Sequence, residues 1–254
     1  DYYIPHRAHE GYGLNENAIM HAKKHGVELI VTVDTGISAV KEAAYAAELG
    51  IDLIITDHHE PPAVLPDAYA IINPRKPGCP YPFKSLAGVG VAFKLAQALT
   101  GEIPHDLLEY AAIGTVADLM PLTGENRIIV HHGIARMRST VSPGIRALTG
   151  VAGVDGKELN AGHIAFGFAP RINASGRLDS ADDAVKLLTT TSEQDAEHLA
   201  FDLDMLNKER QRIVDEMTKE AADMLESGGF SNDRVIVLAQ DNWHVGVLGI
   251  VASK

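Results

Sequence analysis

One cysteine, Cys79, stands in 254 residues. That excludes an intramolecular disulfide and suits a reducing compartment. No apolar run approaches the ~20 residues a membrane-crossing helix needs, and no basic-then-apolar leader opens the chain. A cytoplasmic address follows. Basic residues are also scarce: 22 Lys and Arg face 34 Asp and Glu, for a net charge of −12. Phosphate is usually held by Lys and Arg, so this balance argues against an ordinary nucleic-acid binder. It leaves open one that works through cations, because acidic residues can bind a metal that in turn binds phosphate. No internal repeat or low-complexity tract is present. With 46% hydrophobic and 22% charged residues, the chain reads as a soluble globular protein of one large or two smaller domains.

What is there is organised around Ile54-Ile55-Thr56-Asp57-His58-His59-Glu60-Pro61. The apolar run Ile51 to Ile55 reads as a buried parallel strand, and ligands in open α/β sheets bind just beyond the carboxyl ends of such strands. Pro61 and Pro62 keep the following turn stiff. The preceding strand, Glu28 to Val33, runs into Asp34-Thr35-Gly36. A helix follows from Ser38, a good N-cap, to Leu49, with Gly50 closing it. Right-handed crossover then puts both strand ends on one sheet edge, so Asp34 converges with Asp57, His58 and His59. A carboxylate and imidazoles meeting in a cleft suit Mn²⁺ or Mg²⁺. The same residues equally suit a capping Asp and two hydrogen-bonded loop histidines, and spacing does not choose between them.

The rest of the chain reads mostly as helix. Tyr2 to Pro5 is a short strand or extended lead-in, and Asn15 to His25 a helix carrying His21 and His25 four apart. That pair lacks the glutamate of a zinc site and reads as surface. Tyr69 to Ile72 is a short strand, and Asn73 to Pro82 a Pro/Gly-rich loop. Gly88-x-Gly90 opens a helix through Leu99, the glycines serving close packing in preference to phosphate approach. Leu107 to Ala117 reads as an amphipathic helix with Asp118 at its end, where an acid is electrostatically disfavoured unless a cation is bound. A helix from Glu125 to Arg138 contains His131 and His132, read as solvated. Ser142-Pro143-Gly144 caps another, and Glu158 to Phe166 is a further helical patch. Pro170 to Arg177 reads as a turn-rich stretch whose Arg171 and Arg177 suit either phosphate oxygens or an interdomain salt-bridge cluster. From Ser192 to Glu226 the pattern is helical, ~50 Å at 1.5 Å per residue, and reads as a connector ended by Gly228-Gly229. Arg234 to Ala239 reads as a strand, and Trp243-His244-Val245-Gly246 leads into a helix.

Asp57-His58-His59 with Glu60-Pro61 resembles the signature of the DHH phosphoesterase superfamily. The remaining text resembles RecJ-type single-strand-specific exonucleases. The matching segments are Tyr2 to Arg7, Glu10 to Leu14, Leu86 to Leu95, Gly114 to Leu122, Glu125 to Arg127, Pro170 to Arg177 and Trp243 to Ser253. The resemblance runs through essentially the whole chain, in order.

It implies an α/β fold: a mostly parallel sheet with flanking helices, DHH phosphoesterase-like, over 1–190. A connector helix over 191–227 and the start of a second α/β domain over 228–254 complete it. It implies hydrolysis of single-stranded DNA from the 5′ end, in repair and recombination, with two Mn²⁺ or Mg²⁺ ions. Asp34, His58 and Asp118 are then metal ligands, Asp34 bridging. His59, Asp57 and Arg177 are catalytic, Asp57 by orienting a histidine, and Asn173, Arg177 and Arg171 bind substrate. Helicase and single-strand-binding-protein partners and a monomeric state go with it. The family also carries an upstream His/Asp-rich motif and more of the second domain. Asp1 and Lys254 therefore read as cut ends, and the chain alone as nearly inactive. The alternatives are a DHH phosphoesterase acting on oligoribonucleotides or cyclic dinucleotides, and a catalytically dead replication scaffold. Retention of Asp34, His58, His59 and Asp118 argues against the scaffold.

Overall fold

A computed structural model describes residues 1–6, 10–228 and 234–254. Arg7 of the first matched segment and Gly229 lie outside the described residues. The chain begins without a strand at Tyr2 to Pro5. It then forms α1 (Glu16–Lys24), β1 (Leu29–Val33), α2 (Val40–Glu48), β2 (Asp52–Thr56) and β3 (Ala70–Ile72). Helices follow: α3 (Gly88–Thr100), α4 (Leu108–Ala117), α5 (Gly124–Met137), α6 (Pro143–Val151), α7 (Ala161–His163), α8 (Ala169–Leu178), α9 (Asp182–Thr189), α10 (Glu193–Gly228) and α11 (Leu248–Val251). Helices predominate, and the sheet is small.

The sheet is parallel throughout, in the order β1-β2-β3. Its register pairs Val33 with Thr56 and Thr56 with Ile72, so three strand ends finish level. The expected helix between β1 and β2 is there, but Ser38 does not cap it: Ala39 holds the N-cap position without a side-chain bond. Ala43, Leu53 and Ile55 make the small core beneath the sheet. On β1 only one face is covered. Leu29, Val31 and Val33 are exposed on the other.

The main core lies among the helices. Phe168, Ile145, Leu148, Ile164, Leu187 and Leu203 are buried together. Leu86, Val91, Phe93, Leu108 and Ile129 form a second cluster. α4 contributes to both, through Ala112, Ile113 and Val116 to the first and Leu108 and Ala111 to the second. It is therefore buried nearly all round rather than amphipathic. Its one buried acid, Glu109, accepts from Thr140 Oγ1 at 2.7 Å.

Two further expectations are corrected. Pro170 to Arg177 is helical, as part of α8, not turn-rich. Pro170 sits in the first turn, where a missing N–H costs nothing. Burying Ala174 and Ser175 then overrides the weak helix propensity of Asn, Ser and Gly. Arg234 to Ala239 forms no strand. Val235 and Val237 are exposed there, and among the described residues no strand pairs with them. α10 does run unbroken over 36 residues, but its first half belongs to the core through Ala196, Ala200 and Leu203.

α8 is clamped to α10 by charge. Arg171 meets Asp204 Oδ1 through Nε at 2.9 Å and Nη2 at 2.8 Å, and Lys208 reaches Oδ2 at 2.8 Å. Arg171 also donates to the carbonyls of Gly167 and Val151. Burial pushes the Asp204 carboxyl up, but Lys208 and Arg171 outweigh it and hold it below its ordinary 3.8. Stability from this pair is thus present above that ordinary value and lost as pH falls through the folded-state value. Asp204→Ala leaves the half-buried Arg171 guanidinium with its two carbonyl partners but without its counter-charge, and costs about 3 kcal/mol at pH 7. Urea denaturation from pH 7 down to pH 3 checks both points: the variant is less stable at neutral pH, and the difference shrinks on acidification.

Candidate metal centre

The β1-β2 and β2-β3 ladders each continue one residue past the strand end. Asp34 N–H donates to Thr56 O at 3.0 Å, and Asp57 N–H to Ile72 O at 3.1 Å. This pins the backbone at the strand ends, so the side chains of Asp34 and Asp57 start from fixed points. Asp34 adopts φ 61°, left-handed for a non-glycine residue. Asp is among the few residue types that enter this region at modest cost.

Asp57 is 1% exposed, and its carboxylate is filled by donors. Oδ1 accepts from His58 N at 2.7 Å, His59 N at 3.2 Å and His59 Nδ1 at 2.6 Å, while Oδ2 accepts from Ile37 N at 2.9 Å. Burial pushes this carboxyl up, and the bonds from Ile37, His59 and His58 together bring it below its usual value. Asp57 therefore ties the loop after β1 to the loop after β2 and orients His59.

His58 is 5% exposed, and its Nδ1 lies 2.9 Å from the Leu86 carbonyl oxygen. A carbonyl only accepts, so Nδ1 carries the proton and Nε2 presents its lone pair in the neutral ring. Nε2 lies 3.1 Å from Asp34 Oδ1 and 3.3 Å from Asp118 Oδ2. Neither contact is aligned as a hydrogen bond, and Nε2 is a buried nitrogen without a hydrogen-bond partner. The Asp34 carboxylate holds the His58 imidazole above its usual 6.5, against the opposing effect of burial.

Asp118 is the C-cap of α4. Burial pushes its carboxyl up, the nearby imidazole of His58 pulls it down, and the charge of Asp34 raises it again, for a net rise. Directly after it, Leu119 takes φ 54° and is 85% exposed, a turn for which the sequence offers no glycine. Two carboxylates from different elements thus flank one buried ring nitrogen. Their side chains are 49% and 39% exposed, so the cluster opens to solvent. Ligand atoms of Asp34, His58 and His59 also lie within 4.8 Å of one another.

The structure brings Asp34, His58, His59 and Asp118 together around Asp57. Asn173 is exposed on α8. Arg177 Nη1 donates to Gly246 O at 3.1 Å, joining α8 to the turn before α11. Arg171 is committed to Asp204 and two carbonyls, the ion-pair alternative for that residue. Sequence reasoning passed over Arg210 on α10. Burial and the neighbouring Arg177 guanidinium hold its pKa below the ordinary range, so two cations lie close together. His21 and His25 stack on the surface with ring centres 4.2 Å apart.

Comparison with known proteins shows what the chain is similar to. The model of the DHH family, N-terminal domain, matches residues 1–115. The chain resembles RecJ-type proteins beyond those residues as well. Its similarity to RecJ-type members extends over its whole length: it is 55% identical to the single-stranded-DNA-specific exonuclease RecJ of Bacillus subtilis, across 100% of this chain and 32% of that protein. It is 42% identical to RecJ of Salmonella typhimurium, across 100% of this chain and 47% of that one. The chain thus spans about a third to a half of the length of these relatives. A crystal structure of exonuclease RecJ bound to manganese superposes with a TM-score of 0.84 at 33% identity, covering 99% of this chain and 63% of that one. RecJ from Thermus thermophilus in complex with Mn²⁺ gives 0.82 at 33% identity, covering 93% and 36%.

Replacing Asp57 by Asn leaves one oxygen for the donors and turns an NH₂ group toward another donor. Buried donors left without acceptors cost about 1–3 kcal/mol each, so Asp57→Asn lowers unfolding stability by about 2–4 kcal/mol. Denaturant melts at pH 7 measure it. A loss below about 0.5 kcal/mol, the range of ordinary surface changes, would contradict the role given to this carboxylate.

Proposed function

We propose that this chain carries the metal centre of a single-strand-specific 5′ to 3′ DNA exonuclease. The observation that carries the reading is the buried His58 Nε2, without an aligned hydrogen bond, set 3.1 and 3.3 Å from the carboxylates of Asp34 and Asp118. That donor set, one imidazole and two carboxylates, suits Mn²⁺ or Mg²⁺, and the 55% identical relative is a single-stranded-DNA-specific exonuclease.

Asp34, His58 and Asp118 would hold an ion, with Asp34 placed to bridge to a second. A bound divalent cation polarises a phosphodiester and lowers the pKa of an attacking water. The remaining work belongs to side chains. The Leu86 carbonyl fixes the His58 tautomer, so a lone pair faces the site without a proton having to move. Asp57 holds His59 through Nδ1, leaving its other ring nitrogen for a phosphate or leaving oxygen. Arg177, with Arg210 beside it and Asn173 on the same helix as Arg177, neutralises charge on the phosphate. Phosphate recognition through a cation and a few arginines reconciles nuclease activity with a net charge of −12. No helix among the described residues is long and apolar enough to cross a membrane. A cytoplasmic monomer working in repair and recombination with a helicase and a single-strand-binding protein completes the reading.

Metal affinity has a defined pH dependence. Protonated His58 cannot ligate, and its pKa is raised above 6.5, so the proton competes with Mn²⁺ up to and beyond that pH. Calorimetric titration gives weak binding at pH 6 and tighter binding at pH 8. His58→Ala weakens binding at pH 8 by at least about 100-fold and removes most of the pH dependence.

Activity is tested in a full-length protein that carries this chain, with Mn²⁺, on 5′-phosphorylated single-stranded DNA, an oligoribonucleotide and a cyclic dinucleotide. The DNA strand is consumed from its 5′ end, and Arg177→Ala slows turnover by about 10²-fold with Mn²⁺ affinity retained. Preference for the oligoribonucleotide or cyclic dinucleotide would move the assignment to another DHH phosphoesterase. Mn²⁺ binding without cleavage of any of the three would favour a scaffold.

A further inference from the structure

The three proposed ligands arrive on three separate elements, and one short segment touches the surroundings of each. The Leu86 carbonyl accepts from His58 Nδ1 at 2.9 Å. Two residues on, Gly88 opens α3 against Asp34. A Cβ placed on Gly88 would overlap Asp34 Oδ1 and Cγ and lie 2.6 Å from Asp34 Cβ. Rotating the Asp34 side chain does not relieve a clash at its own Cβ, so backbone must move. On the next residue, Val89 presses on α4: a Cβ on Gly114 would lie 2.7 Å from Val89 Cγ1 and 2.9 Å from Val89 Cβ. Gly114 O accepts from the Asp118 N–H at 3.0 Å, so a shift of α4 at Gly114 is carried to Asp118.

We propose that Leu86 to Val89 is the template that sets the spacing of the metal centre, with Gly88 and Gly114 as positioning residues. Gly88 supplies the space in which the Asp34 carboxylate lies, and Gly114 lets α4 approach α3 closely enough to bring Asp118 within reach of His58. The Gly-x-Gly signal therefore splits. At Gly90 an added Cβ would meet the Leu86 side chain, its flexible Cδ2 at 3.1 Å and its Cβ and Cγ at the ordinary contact distances of 3.6 and 3.8 Å. Gly90 therefore presses on neither Asp34 nor α4 and serves as the control.

This inference rests on the metal-binding reading of Asp34, His58 and Asp118, and the test separates the two. Mn²⁺ affinity is measured on the chain by the loss of the free-ion electron paramagnetic resonance signal, alongside the thermal midpoint. Gly88→Ala lowers affinity by about 10- to 100-fold, the range for groups that support a ligand. Adding Asp34→Gly to Gly88→Ala removes the clash and recovers the thermal midpoint without recovering affinity. Gly114→Ala weakens Mn²⁺ binding, and Gly114→Ala with Val89→Gly, which removes the Val89 Cβ as well as its methyls, restores it, which keeps the test decisive if Gly88→Ala alone does not fold. Gly90→Ala leaves affinity unchanged. A wild-type chain that binds no Mn²⁺ overturns the metal reading and this inference with it. Wild-type binding with Gly88→Ala folded and equally tight, or with no restoration by Val89→Gly, overturns the template alone.

Discussion

The site depends on one buried carboxylate that never faces it. Asp57 sits at the end of the middle strand and draws in Ile37 from the loop after β1, the two backbone amides that follow it, and the His59 ring. Each donor would otherwise be a loose end of a loop. Gathered on one acceptor, they fix the chain direction at the point where His58 must turn inward and His59 outward. The cost of burying the charge is met by those same bonds, which is why the carboxyl stays ionised. A charge so placed is strong only while fully bonded, and the fixed order Asp-His-His follows from that requirement.

Around this point the fold supplies three independent supports. The parallel register levels the strand ends and brings Asp34 alongside. α4, buried between two hydrophobic clusters, aims its carboxyl end at the same place and delivers Asp118. Leu86, in the segment that leads into α3, holds the His58 tautomer. The electrostatics are unfavourable as they stand, with two carboxylates converging and one at a helix C-terminus. A cation in that position relieves both conflicts.

Much of this was legible in the residues. Apolar runs ending in Asp34 and in Asp57-His58-His59 located the strand ends, and βαβ handedness brought them together. The acid at Asp118 stood out by its place at a helix C-terminus, and the family resemblance carried most of the case for a ligand there. What stayed hidden depends on tertiary contact. The burial of α4 on nearly every side is a property of its neighbours, not of its periodicity. Pro170 to Arg177 looks like a turn by propensity and becomes a helix because α10 offers it a surface to pack on. On β1 Leu29, Val31 and Val33 stand exposed, which its apolar composition does not reveal. Arg171 and Arg177 could not be told apart by type, since only Asp204, thirty-three residues on, assigns Arg171 to an ion pair.

The account stands on Asp34, His58 and Asp118 sharing one cation. Crystals grown with Mn²⁺ at pH 8, with anomalous scattering collected at the manganese edge, test it most directly. The account predicts a peak bonded at ~2.0–2.2 Å by an Asp34 oxygen, His58 Nε2 and an Asp118 oxygen. A manganese peak elsewhere, or none, with His58 Nε2 instead hydrogen-bonded to the Asp34 carboxylate, would contradict it.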